Sequence, residues 1–161
     1  MADLIVPATK EQMASIQLYA DLLGEAKIRI GIINHFITGK AELPGPLIRE
    51  SAFLQLRMLC ELIALGCLVA HGDITRRTKL RKEWSAYRII EALENLHQDF
   101  YPLPLDQGEN LQFSPTKDDY LTKEDLISLN HYSGDVLHRG TLKKLLTNRD
   151  PIQVHFPEIL T

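Results

Sequence analysis

Hydrophobic residues recur at alternating intervals of three and four positions along the first quarter of the chain. These residues are Ile16, Tyr19, Leu23, Ala26, Ile30, Ile33 and Ile37. The spacing keeps apolar side chains on one face of an α-helix for three heptads, as in bundle helices and coiled coils. Thr9 followed by Gln12 forms a capping box, in which each side chain satisfies a free backbone donor. A helix is therefore predicted over residues 10–38.

A second apolar edge runs along the C-terminal half of this helix, at Ile28, Ile32 and Phe36. A helix that is apolar on two edges has more surface to bury than a single neighbouring helix covers. We therefore expect this half to be covered on two sides.

The next segment is apolar on nearly every face, which predicts a central helix over residues 47–71. From Ala52 to Ala70, 15 of 19 residues are apolar. Arg57 and Glu61 fall in the middle, and each would cost roughly 2.5–3.5 kcal/mol at a bilayer centre. We therefore expect the core helix of a soluble bundle rather than a membrane span.

Two further helices are predicted, over residues 75–98 and 123–138. The third repeats the three–four spacing, and Trp84 is expected to anchor its start. The fourth begins at a second capping box, formed by Thr122 and Asp125.

The remaining segments are a loop and a tail. Residues 101–119 hold three prolines and one glycine, so an ordered loop is predicted, with a short extended piece at residues 111–113. Such a loop either carries function or crosses one end of the bundle. A tail over residues 150–161 is expected to cover the core. Together these elements predict a single domain, residues 1–161, of the all-α class: an antiparallel bundle of four to five helices.

Net charge and cysteine content restrict the possible partners and the cellular compartment. The formal net charge is −3 and the pI is about 6.1, so there is no overall attraction for nucleic acid. Basic residues cluster between positions 76 and 82, either as a solvated helix start or as a phosphate site. Cys60 and Cys67 lie about 10 Å apart along a helix, too far for a disulfide. We expect both thiols in the core of a cytoplasmic protein.

A polar stripe on the second helix is the first candidate site. Glu50, Arg57 and Glu61 fall within roughly 40° of one another on the helical wheel. Isolated charges are rarely fully buried, so the stripe must reach water, a ligand or paired charges. A solvent-facing Arg57–Glu61 pair, a buried ion pair and a functional site all remain open.

The fourth helix carries the second candidate, His131, Asp135 and His138 at positions i, i+4 and i+7. One carboxylate between two imidazoles can orient their tautomers and raise their basicity. A solvated face, acid–base chemistry on a phosphodiester and a metal site are the alternatives. No metal or cofactor is assigned, because the two imidazoles are far apart and the chain has no Gly-rich phosphate loop or C-x-x-C.

The helix order, with Arg-x-x-x-Glu (Arg57, Glu61) on the second helix and Asp-x-x-His (Asp135, His138) on the fourth, resembles the HEPN superfamily over residues 10–146. Those are small all-α domains that usually dimerise. Many are metal-independent ribonucleases of toxin–antitoxin and phage-defence systems, and others are binding modules. The resemblance implies that His138 is the catalytic histidine.

The superfamily signature also requires an arginine that is separated from that histidine by four to six intervening residues. Here those positions hold Ser133, Tyr132 and His131. Either His131 or Arg57 replaces the arginine, or the site is degenerate.

Three functions follow from these expectations. The first is a non-catalytic, self-associating binding module, a degenerate HEPN-like homodimer whose partner is RNA or another protein. The second is an active ribonuclease using His138 with His131 or Arg57, and Asp135 to orient an imidazole. The third is a metal-dependent helical-bundle enzyme using His131, Asp135 and His138.

Overall fold

The computed structural model describes residues 8–39, 41–72 and 80–138. Within these ranges the helices are α1 (Lys10–Ile37), α2 (Gly45–Ala70), α3 (Ala86–Glu94) and α4 (Lys123–Leu137), and the strands are β1 (Leu105–Gln107) and β2 (Phe113–Pro115). Two 3₁₀ turns complete the set, at Leu80–Lys82 and Glu109–Leu111. The predicted all-α class is confirmed. The tail predicted over residues 150–161 lies outside the described residues, so a single domain spanning 1–161 stays a prediction.

Helix α1 begins where its capping box places it. The Thr9 hydroxyl accepts from the Gln12 backbone N–H at 3.2 Å, and the Gln12 side chain accepts from the Thr9 N–H at 2.8 Å. At its other end Gly39 adopts a φ of +70°, a conformation that glycine takes without steric cost, and the helix ends. The predicted extent, residues 10–38, is thus confirmed to within one residue.

Helices α1 and α2 pack as an antiparallel pair. Tyr19 lies against Gly66, and Arg29 donates a 2.7 Å hydrogen bond to Gln55. The expectation that the second half of α1 is covered on two sides is wrong within the described part of the chain. No residue of α1 is buried, and Ile28 on the second edge is 64% exposed. The reason is geometric, since α2 alone packs along its length.

Helix α2 is the centre of the bundle, with α1 on one side and α3 and α4 on the other. Among the described residues it is the one helix long and apolar enough to cross a membrane, judged by length and composition. Half of the residues in its most apolar window are buried inside the protein. Such burial fits the core helix of a soluble bundle.

Helix α3 is shorter than predicted. The sequence predicts a helix over 75–98, whereas α3 begins at Ala86 and follows three residues that belong to no helix or strand. The Glu83 carboxylate accepts from the backbone N–H groups of Trp84 (3.1 Å) and Ser85 (3.0 Å), a local turn that competes with the helix. Trp84, expected to anchor the helix start, is instead 64% exposed.

The core lies between α2, α3 and α4. Its fully buried members include Cys60, Ala64, Ile89, Ile90, Leu93 and Leu126. The three–four spacing predicted for the third helix supplies Ala86, Ile89 and Leu93 to this core, and it continues to Phe100, which is buried beyond the helix end. Helix α4 lies antiparallel to α3, since Lys123 pairs with Glu94 at one end and His131 contacts Tyr87 towards the other.

The segment predicted as a loop over 101–119 contains a β-hairpin. Leu105 pairs with Pro115 and Gln107 with Phe113, in antiparallel register. The single extended piece expected at 111–113 is therefore corrected to two strands that flank a 3₁₀ turn. Two strands form because the segment doubles back on itself and pairs its own backbone groups.

Candidate functional site

Arg57 and Glu61 form an ion pair on α2. Arg57 Nε lies 3.4 Å from Glu61 Oε1, and the side chains are 27% and 26% exposed. Glu50, the third member of the predicted stripe, is exposed. The Arg57–Glu61 pair is therefore neither fully solvated nor fully buried, and it lies at the partly covered edge of the bundle.

Arg57 also reaches helix α4. A Cβ atom added at Gly134 would lie 2.6 Å from its Nη1 atom, so the glycine leaves the space that the guanidinium occupies. Sequence reasoning missed Gly134. The available signal was a glycine inside a helix, which costs about 1 kcal/mol relative to alanine and therefore suggests a packing reason.

The His131, Asp135 and His138 set does not form a joined site. His131 and Asp135 are exposed on the outer face of α4, where the His131 ring lies 5.5 Å from that of Tyr87. His138 caps the helix with extended backbone angles (φ −87°, ψ 126°), so it leaves the helical register on which the predicted alignment depends. Residues 8–39, 41–72 and 80–138 contain no group of three His, Cys, Asp or Glu that could hold a metal ion.

The structure brings together only part of the predicted candidates. The Arg57 guanidinium lies against the residue preceding Asp135, four positions before His138. Within the described ranges, no hydrogen bond or ion pair joins the side chains of Arg57, Asp135 and His138. The arrangement gives one cation beside the C-terminal turn of α4, already paired with Glu61.

A buried amide lies one helical turn before Gly134. Asn130 is 7% exposed, and its Nδ2 has no hydrogen-bond partner among the described residues. An unpaired buried donor costs about 1–3 kcal/mol. Asn130 and Arg57 therefore supply two donor groups, one neutral and one cationic, on the same side of α4. Sequence reasoning missed Asn130, although its spacing from Leu126 and Ser133 places it on the buried face.

The two cysteines are free and buried, as predicted. Burial raises the pKa of the Cys60 thiol to about 12, and the Glu61 carboxylate adds to this effect. Burial likewise raises the pKa of Cys67 to about 11. A thiol with so high a pKa is almost entirely protonated at neutral pH, so neither cysteine is suited to nucleophilic catalysis.

One side of α1 carries a row of exposed apolar residues. Ile16, Leu23, Ile30 and Ile37 follow one another at seven-residue intervals and are 59%, 46%, 45% and 38% exposed. We call these four residues the α1 stripe.

An apolar cavity of about 230 Å³ opens between α1, α2 and the segment that follows α3. Leu23 of the α1 stripe lines it together with Tyr19, Cys67 and Phe100. The α1 stripe and the cavity are therefore parts of one apolar surface. Of the predicted basic cluster at 76–82, the described residues Arg81 and Lys82 are exposed, and the rest falls largely outside the described ranges.

These features define the class of protein: an all-α bundle with one long, half-covered helix and a partly exposed polar pair. No family model and no solved structure matches the chain. It is similar, at 35% identity over 77 residues, to an argininosuccinate lyase of Prochlorococcus marinus (strain MIT 9515). The match covers 47% of this chain and 16% of that enzyme. So short a match identifies neither a family nor an activity.

Proposed function

We propose that this chain is a self-associating helical interaction module in which the α1 stripe packs against the same helix of a second copy. One observation carries the proposal: α1 is 28 residues long and has no buried residue. Fully burying a Leu or Ile side chain contributes about 1.5–3 kcal/mol, so each half-exposed residue of the stripe has roughly half of that still to gain.

The spacing of the α1 stripe favours a second helix as the occupant. A strict seven-residue repeat matches the period of a two-helix seam, and an identical helix presents the same repeat. The side of α1 that carries the α1 stripe has one charged residue, Lys27, so this side is almost uncharged.

The length of α1 is also sufficient. At 1.5 Å per residue its 28 residues span about 42 Å. A standard interface uses about 20–30 residues on each side, and a pair of such helices with the flanking cavity rim provides them.

Sedimentation velocity at micromolar concentration tests this assignment. We expect the paired substitutions Leu23→Glu and Ile30→Glu to give a monomer, because each places an unpaired charge in the seam. Ile28→Glu is the matched control, since Ile28 is 64% exposed but lies about 140–160° around the helix from these two residues. We expect Ile28→Glu to leave the association intact. Equal loss in the control, or no loss in the double variant, would refute the α1 stripe as the interface.

The HEPN-like part of the proposal is based on the order of the helices. In this proposal the domain is a degenerate HEPN-like module that works in the cytoplasm, and it recognises its partner as a dimer. The absence of an arginine at positions 131–133 supports the degenerate reading. The pairing of Arg57 with Glu61 supports it too, since a paired guanidinium is less available to bind a phosphate.

A second candidate, a metal-independent endoribonuclease, is favoured by the approach of Arg57 to α4. In this mechanism the 2′-oxygen of RNA attacks the adjacent phosphorus while the bond to the 5′-oxygen breaks. His138 moves a proton between these oxygens, and Asp135 orients an imidazole. Arg57 or His131 donates to the phosphate oxygens as charge develops.

Incubation of the purified chain with total RNA in EDTA separates the two candidates. The ribonuclease predicts cleavage that survives the chelator, disappears in His138→Ala and falls strongly in Arg57→Ala. His35→Ala, on the exposed end of α1, is the matched control and should keep full cleavage. No cleavage by the wild-type dimer would remove this candidate and leave the interaction module.

A further inference from the structure

The hairpin of β1 and β2 projects from the bundle. Every residue from 102 to 115 is exposed, so neither face of the hairpin is covered by the described helices. A two-stranded hairpin is at best marginally stable by itself, and one apolar face normally packs on something.

The pairing register sorts the hairpin into two different faces. Leu105, Gln107, Phe113 and Pro115 share one face, and Asp106 and Ser114 share the other. The backbone pairing continues to Thr116, whose N–H donates to Pro104 at 3.1 Å, and this places Leu103 on the first face. Leu103, Leu105 and Phe113, which we call the apolar hairpin face, are 65%, 55% and 60% exposed.

The tip adds an unusual leucine. Leu111 has a φ of +59° and is 73% exposed, directly after Asn110 at +58°. Asparagine tolerates the left-handed region, whereas a leucine there is strained by an amount of order 1 kcal/mol or more. The tip therefore holds a large apolar side chain in water in a conformation that glycine would adopt without strain.

Charge on the hairpin restricts what can cover it. Residues 103–119 contain four carboxylates (Asp106, Glu109, Asp118 and Asp119) and one lysine, a net charge of −3. That equals the net charge of the whole chain, so the positive and negative charges of all other residues cancel. RNA, DNA and anionic lipid surfaces are repelled by such a segment. A partner that carries lysine or arginine beside apolar side chains is attracted to it.

We infer that the apolar hairpin face and Leu111 form a docking surface for a cationic, apolar segment of another protein. The partner's apolar side chains cover Leu103, Leu105, Phe113 and Leu111, and its basic side chains meet the surrounding carboxylates. The apolar hairpin face and Leu111 share no residue with the α1 stripe, so the inference does not depend on self-association.

Fluorescence anisotropy tests the inference with two labelled peptides of equal length, one alternating leucine with lysine and one alternating leucine with glutamate. We expect the lysine peptide to bind and the glutamate peptide not to bind. Leu111→Ser with Phe113→Ser removes apolar surface but no charge, whereas Glu109→Gln with Asp119→Asn removes charge but no apolar surface. Each pair should weaken binding at least tenfold. Leu47→Ser with Leu54→Ser, which are 49% and 45% exposed on α2, is the matched control and should bind like wild type.

Three results would overturn the inference. The first is equal binding of both peptides, and the second is retention of binding by both hairpin variants. The third is a change in the oligomeric state of the chain alone when Leu111 and Phe113 are replaced, because the occupant would then be a second copy. Circular dichroism checks that the hairpin variants fold, which is expected because these side chains contribute nothing to the core.

Discussion

At the scale of single residues, the polar groups that matter are those that bind backbone or fill a gap left by another residue. The capping boxes at Thr9 and Thr122 were predictable, since both partners lie three positions apart in the sequence. The contact of Arg57 with Gly134 was not predictable, because it joins residues 77 positions apart. On the polar face of α4, where three alternatives were left open, His131 and Asp135 are exposed, and His138 leaves the helical row where the helix ends.

The cysteines give a prediction about reactivity and pH. Raising the pKa of Cys60 from 9.0 to about 12 lowers its thiolate fraction near neutral pH by about a thousandfold. We therefore expect neither thiol to react with a chromogenic disulfide reagent in the native protein, and both to react after unfolding in guanidinium.

The same raised pKa values set the alkaline stability. Both thiols stay protonated longer in the folded than in the unfolded chain, so their stabilisation is complete below pH 9 and is lost as the pH rises towards about 11 and 12. Urea unfolding should show a falling free energy of unfolding over this interval. A fast-reacting native thiol near pH 8 would contradict the assigned burial.

The cap of α4 gives a prediction at acid pH. The Thr122 hydroxyl and backbone N–H hold the pKa of Asp125 below its usual value. The stabilisation from this cap is therefore present above pH 3.8 and decreases as the pH falls through the lowered value. Thr122→Ala should cost about 1 kcal/mol at neutral pH and less in acid, measured by urea unfolding, whereas Thr122→Ser should stay close to wild type. A cost independent of pH would argue against the Thr122–Asp125 contact.

At the scale of elements, periodicity predicted the helices that bury one face and misjudged the segments that do not. The apolar spacing from Ala86 to Phe100 places the core correctly. It does not show where α3 begins, because the turn at Glu83 depends on side chain–backbone bonds rather than on hydrophobicity. The hairpin was missed because its apolar residues are exposed, so they follow no burial pattern.

Paired leucine substitutions test this division between core and projecting elements. Leu126 is 0% exposed in the core, so Leu126→Ala should lower the free energy of unfolding by about 2–5 kcal/mol. Leu111, at 73% exposed, should cost less than about 0.5 kcal/mol when changed to alanine. Urea unfolding monitored by circular dichroism measures both. Similar costs for the two variants would mean that the hairpin tip is covered in the isolated chain.

At the scale of the whole molecule, the bundle has a well-buried half and an open half. Helices α2, α3 and α4 enclose the core, while α1 packs mainly on α2 among the described elements and leaves the α1 stripe exposed. The sequence shows the heptads of α1 but not which of them meet another helix of the same chain, since that depends on how the other helices are arranged. The candidate site could not be predicted for the same reason, because its residues come from α2 and α4 and their contact depends on how these helices are arranged.

The molecular mass of the wild-type chain in solution tests the central claim most directly. If the α1 stripe pairs two copies, sedimentation equilibrium at micromolar concentration should give a mass of about twice 18.3 kDa. A mass of 18.3 kDa that does not change across the concentration series would contradict it.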